Sequence, residues 1–161
     1  MAELRSRFRE LTEHLKKKAE LYGIPAENCD SETADILLES GGHGETEVGW
    51  HIATLRYRGV LLIERLTEAT AVRLALHART WLDDHDDTRS RFRLGDPTVS
   101  LIPLDASGLV DFVLSADFAD PVLASENPEG EFEWDGRRFD LGGYQLGVAE
   151  RGDVRGARTD V

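Results

Sequence analysis

TVSLIPLDASGLVDFVLSADF, residues 98–118, is the stretch whose reading decides the fold. Two apolar-alternating runs, Thr98–Leu104 and Leu109–Phe118, flank Asp105-Ala-Ser-Gly108. Val110, Phe112, Leu114, Ala116 and Phe118 occupy alternate positions of the second run, so an extended chain presents them on one face. The pair reads as an antiparallel hairpin. A second hairpin follows downstream, where Asp135-Gly136 joins Phe132–Trp134 to Arg137–Leu141. Asp-Gly tolerates the positive φ that a tight primed turn demands.

Upstream, Val48–Tyr57 and Val60–Leu66 are strand-like runs separated by Arg58-Gly59, and they read as a third hairpin. Leu4, Phe8, Leu11, Leu15 and Ala19 recur at three- and four-residue steps, which predicts an amphipathic helix over about 2–22, closed by Gly23 and Pro25. Its polar face carries six Arg and Lys residues (5, 7, 9 and 16–18). Thr67 is placed to cap a second helix over about 68–84, with Glu68 in its first turn. Residues 23–47 read as mostly irregular, with a short helix capped by Ser31 and running through Ala34, Leu37 and Leu38 before Gly41-Gly42-His43-Gly44 breaks it. Residues 88–97 read as a loop with a short strand at Arg91–Leu94. The order is helix, hairpin, helix, then strands, without repeated strand–helix alternation. That predicts an α+β fold, a mostly antiparallel sheet with two main helices packed on it. One domain is expected over 1–150, followed by a flexible C-terminal tail, 151–161, that has little to bury.

The chain of 161 residues carries 31 acidic against 19 basic side chains, a formal net charge of −12. Broad docking on nucleic acid or an anionic membrane is disfavoured, because phosphates are held by Lys and Arg. A salt-adapted, uniformly acidic surface gives the same balance without any partner. The single cysteine, Cys29, excludes an internal disulfide and a cysteine-rich metal site. No apolar run reaches the ~18 residues that a membrane span needs, and the charged start (Met1–Arg9) lacks a signal-peptide core.

Five clusters invite a chemical reading. Asp83-Asp84-His85-Asp86-Asp87 offers oxygen ligands for a hard cation, yet it lacks the alternate spacing and distal Glu of a calcium loop; a solvated loop is the plainer reading. The histidines 14, 43, 51, 77 and 85 include no i, i+4 pair, and His77, four residues before Trp81, is expected to pack on that ring. Gly41–Gly44 lacks the Lys-Ser/Thr of a phosphate loop, and Cys29 lacks a basic neighbour. Glu64 and Glu68 flank a strand–helix junction on a surface and read as solvated rather than catalytic. No catalytic residue, cofactor or metal is expected, and no enzyme.

The block from Tyr57 to Gly136 resembles the tail completion protein R family of contractile-tailed temperate phages. Its carriers are Tyr57, the strand Val60–Leu66, the turn Thr67-Glu68, the helix end Trp81-Leu82 with Asp83-Asp84, the pair Val99–Leu104 and Leu109–Phe118, and Asp135-Gly136. The N-terminal helix also fits. The chain departs from the family in a longer first 45 residues, and in Asp117–Asp120 where a Glu usually follows the late strand. The resemblance implies a structural tail terminator, a homo-oligomeric ring, a hexamer, capping the tail tube and helping to join tail to head. Its implied partners are further copies of itself, the tail tube protein and the head-connector protein, with DNA passing through the lumen without specific binding. It implies a place in the virion tail or neck after assembly in the host bacterial cytoplasm. Phe132, Trp134 and Phe139, flanking a projecting turn, are the candidate interface residues; packing in the core is their other reading. Two other classes stay open on the residues alone: a small acidic monomeric binding or adaptor protein from a halophilic source, and a hydrolase using the acids at 83–87.

Overall fold

An 18-residue strand, β3 (Gly49–Leu66), is the axis of the molecule. The computed structural model describes residues 6–42, 44–142 and 149–151. In it β3 pairs antiparallel with β1 (Cys29–Ser40) on one side and with β5 (Val110–Glu126) on the other. On its outer side β5 carries β4 (Thr98–Pro103) along its first half and β7 (Arg137–Leu141) at its end, and β7 pairs with β6 (Phe132–Trp134). Two short strands complete the sheet: β2 (Glu45–Thr46) pairs with β3, and β8 (Ala149–Arg151) pairs with β1 over Asp30–Glu32. Every pairing among the described strands is antiparallel.

The two downstream hairpins form where turn chemistry places them, although β5 runs on eight residues past Phe118 to Glu126. The upstream region differs. Arg58-Gly59 is not a turn: Gly59 lies mid-strand opposite Thr33 of β1 and Ala116 of β5. A Cβ at Gly59 would overlap the ring of Phe8, so the glycine serves a close helix-to-sheet approach. The expected helix at 31–38 is also overturned. Those residues lie in β1, where the ladder to β3 satisfies their backbone groups and outweighs the helical spacing of Ala34, Leu37 and Leu38. A bulge between Ala34 and Leu37, with Asp35 at φ 54°, absorbs the misfit.

Helix α1 spans Arg7–Leu21. It starts later than its periodicity suggests, because Ser6 is extended and its hydroxyl accepts from the Arg9 N–H (3.1 Å), a cap. Residues 1–5, His43, 143–148 and the expected tail from 152 lie outside the described residues. Helix α2 (Glu68–His85) is capped by Thr67, which accepts from the Thr70 N–H at 3.2 Å. In place of the expected strand at 91–94 comes a single helical turn, α3 (Thr88–Arg91), and the Asp86 carboxylate accepts from the Thr88 N–H (3.2 Å) at its start.

Both long helices pack on one face of the sheet. Phe8, Leu11 and Leu15 of α1 and Leu74, Trp81 and Leu82 of α2 close over Leu61 and Ile63 of β3 and Phe112, Leu114 and Phe118 of β5. That single apolar layer is the core.

Candidate assembly surface

Under the start of α1 lies a buried polar lock. Tyr57 donates its hydroxyl proton to the Asp120 carboxylate (2.5 Å) and accepts from the Phe8 N–H (3.4 Å). Arg7 bridges Asp120 and Asp86, each at 3.3 Å. Asp86 also takes the Thr88 hydroxyl (2.6 Å) and the Arg89 guanidinium (3.3 Å). Arg89 in turn donates to the Asp117 and Gly95 carbonyls, both at 2.8 Å. Five segments are thereby tied together, and the charges are paired as buried charges must be. The acidic run at 83–87 is therefore not simply a solvated loop: its Asp86 side chain is fully buried, while Asp83 pairs with Arg79 at the surface. The stretch Asp117–Asp120 contributes the buried Asp120. Sequence reasoning missed this lock, since its members are far apart in the chain; an Asp amid the aliphatic run of β5 was the available signal.

Among the described residues no group of three or more His, Cys, Asp or Glu is placed to hold a metal ion. His77 does not sit on Trp81. It hydrogen-bonds the Tyr22 hydroxyl (2.8 Å), while His85 stacks on Trp81 with ring centroids 4.7 Å apart. His14 reaches the same seam from α1, 6.4 Å from His77 and 6.5 Å from Trp81, centre to centre. Burial first, and then the neighbouring Lys18, hold the His14 and His77 imidazoles below the usual histidine range.

The β6–β7 hairpin places its three aromatics differently from one another. Phe139 is fully buried, 6.3 Å from Trp50 and 5.3 Å from Trp134, and Arg137 lies over the Trp50 ring at 4.5 Å. Trp134 is half-buried against the same rings, and Phe132 remains exposed. These rings form a small satellite core at the end of the sheet, with Phe132 offered to solvent.

Larger apolar exposure lies elsewhere. Val99 and Ile102 stand out from β4, Ile36, Leu37 and Leu38 from β1, and Val72 and Leu76 from α2. The helical spacing of Leu37 and Leu38 in the sequence hides this strand. Apolar groups clustered on separate elements of a small acidic molecule suit contact with protein.

The model of the family described as P2 phage tail completion protein R (GpR) matches residues 6–140. The chain belongs to that family. The match runs from the Ser6 cap of α1 to Asp140 in β7, so it takes in the whole lock and both downstream hairpins. A protein of Haemophilus phage HP1, called an uncharacterized 19.2 kDa protein in the rep-hol intergenic region, is 29% identical over 122 residues, covering 74% of this chain and 73% of that protein. No solved structure matches the chain. A tail completion protein R has a structural role in finishing a phage tail, which is not an enzyme class, and its place is the virion tail.

Proposed function

We propose that this tail completion protein is a tail terminator: copies of the chain form a homo-oligomeric ring, a hexamer, that caps the tail tube and stops its growth. The far side of the ring receives the head connector, so the tube protein and the connector protein are its partners at the neck. The ring assembles in the cytoplasm of the host bacterium. Membership of the tail completion protein R family is the observation that carries this reading. The surface is compatible with it, since apolar side chains remain exposed on several elements of a protein of net charge −12. Acidic walls also suit a lumen through which DNA slides, because they repel phosphates.

The test is the solution mass of the full chain, alone and mixed with the tail tube protein, together with electron microscopy of lysates from phage lacking the gene. A closed oligomer, and headless tails of uncontrolled length, are the expected results. A chain that stays monomeric at every concentration and with the tube protein present overturns the ring. Normal virions made without the gene overturn the role.

A further inference from the structure

We propose that two copies of this chain pair through β4, antiparallel and about a twofold axis at Ser100, so that their sheets join edge to edge. The contact is isologous and closes on two copies. It stands apart from the ring, whose neighbours meet head to tail.

Among the described residues β4 (Thr98–Pro103) has β5 as its strand partner on one side and none on the other, and every residue in it except Leu101 is exposed. The Leu104 N–H donates to the Leu109 carbonyl (2.9 Å), in step with the ladder that sets Pro103 opposite Val110. Hydrogen-bonded pairs alternate along an antiparallel ladder. Residues 98, 100 and 102 therefore direct their backbone groups at β5, while Val99, Leu101 and Pro103 turn theirs outward. A proline at 103 agrees with this, since its missing N–H breaks no ladder bond on an open edge. Edge strands that stay single are usually guarded by a charge or an inward-pointing Lys. β4 carries neither, and Pro97 and Pro103 bracket Thr98–Ile102 and leave it able to pair.

Helix α2 flanks this edge. Val99 and Leu101 lie opposite Leu114 and Phe112 of the core, so they face the helices. Arg79 of α2 pairs with Asp96, just before β4, at 3.2 Å, which turns that flank of the helix toward the strand. Val72 and Leu76 share the flank at helical spacing from Arg79, and both are exposed. A strand added roughly 4.8 Å outside β4 sets its alternate side chains beside them. Strand addition draws its affinity from main-chain bonds and its specificity from sites for alternate side chains, and this edge offers both.

The second copy supplies a matching strand. In the register centred on Ser100, Val99 pairs with Leu101 of the second copy, and Leu101 with its Val99. Each pair exchanges two hydrogen bonds, so every outward N–H and C=O group of Val99 and Leu101 is bonded in both copies. Pro103 falls opposite Pro97 of the second copy, where neither residue has an N–H to leave unbonded. On the helix face Val99 packs on Leu101, beside Val72 and Leu76 of both copies; on the other face Ile102 meets Thr98. The paired strands contain no charge, and Asp96 beside them is held by Arg79. Such a surface is where two molecules of net charge −12 meet with least repulsion.

Oxidation of cysteine variants of the full chain tests the register. Ser100→Cys sets two thiols opposite one another at a non-hydrogen-bonded pair, with Cα atoms roughly 4.5 Å apart and within disulfide reach. Covalent dimers are expected from it, and from Thr98→Cys mixed with Ile102→Cys, but not from either of those two alone. Cys29 stays silent, because burial pushes its thiol up to about 11. Leu76→Glu, at an exposed position, is expected to raise the dimer dissociation constant about tenfold or more in sedimentation equilibrium, with the circular dichroism unchanged. A wild type without a monomer–dimer step overturns the pair, as does a Ser100→Cys chain that dimerises no faster than Ala106→Cys in the exposed turn. Protection of the β4 amides from hydrogen exchange only after tube protein is added also overturns it, and assigns the edge to that protein. Wild-type rings without the β4 dimer overturn the pair and leave the ring standing; dimers that never close into a ring with tube protein present support the pair and overturn the ring.

Discussion

Gly59 and Phe8 show how one missing methyl group sets the distance between a helix and a sheet. The ring of Phe8 occupies the space in which a Cβ on Gly59 would sit. Gly59→Ala should therefore push the first turn of α1 outward at a cost of about 1–3 kcal/mol, as overpacking does. Phe8→Leu trims the ring, so the double variant should be more stable than the two single costs predict by at least ~0.5 kcal/mol. Urea unfolding of the four proteins measures this, and strict additivity would refute the contact. The Asp86 carboxylate is the matching electrostatic case. Its loss in Asp86→Ala leaves Arg89, whose side chain is only 10% exposed, and the buried Thr88 hydroxyl without their shared partner. A destabilisation of about 3–5 kcal/mol is expected, because one member of a buried pair remains uncompensated. Thermal unfolding reads it directly; a change below about 1 kcal/mol would show that the lock contributes little.

Between elements, the seam of α1 and α2 carries a pH dependence. His14 and His77 have pKa values below the ordinary 6.5, mainly through burial and then through Lys18, with His77, His85 and Lys17 adding to the effect on His14. The folded state therefore binds protons less readily than the unfolded chain. Stability is undiminished above about pH 6.5 and falls as the pH drops below that value towards the lower folded-state pKa values. Urea midpoints between pH 7.5 and 5.5 should decline, and His14→Gln should flatten the decline; an unchanged slope in that variant would discharge His14 from the effect. The same elements show what was legible beforehand. α2 and the β4–β5 and β6–β7 hairpins were readable because their signals are local: Thr67 at a cap, Asp135-Gly136 in a turn, alternation in Val110–Phe118. β1 was not, because pairing with β3, thirty-four residues away at Cys29↔Ile63, overrode the helical spacing of Leu37 and Leu38. Gly59 reads as a turn for the same reason, since only the tertiary contact with Phe8 explains a glycine there. Of the candidate interface residues, the hairpin position of all three was readable, but their division into buried Phe139 and exposed Phe132 depends on Trp50, more than eighty residues away.

For the whole molecule, charge and assembly are coupled. Each copy carries a net charge of −12, so bringing copies side by side in a ring accumulates repulsion across the entire surface. Where apolar surfaces join the copies, the effect of added salt is to screen that repulsion. As ionic strength rises from about 0.01 to 0.15 M, the screening length shrinks from ~30 to ~8 Å, well inside the dimensions of the protein. Half-assembly should accordingly occur at a several-fold lower concentration in 0.15 M than in 0.01 M sodium chloride, with little further change by 0.5 M. Sedimentation velocity across that salt series measures it. An interface built on oppositely charged patches predicts the reverse, dissociation with salt, and that outcome would show that charge attraction rather than apolar contact joins the copies.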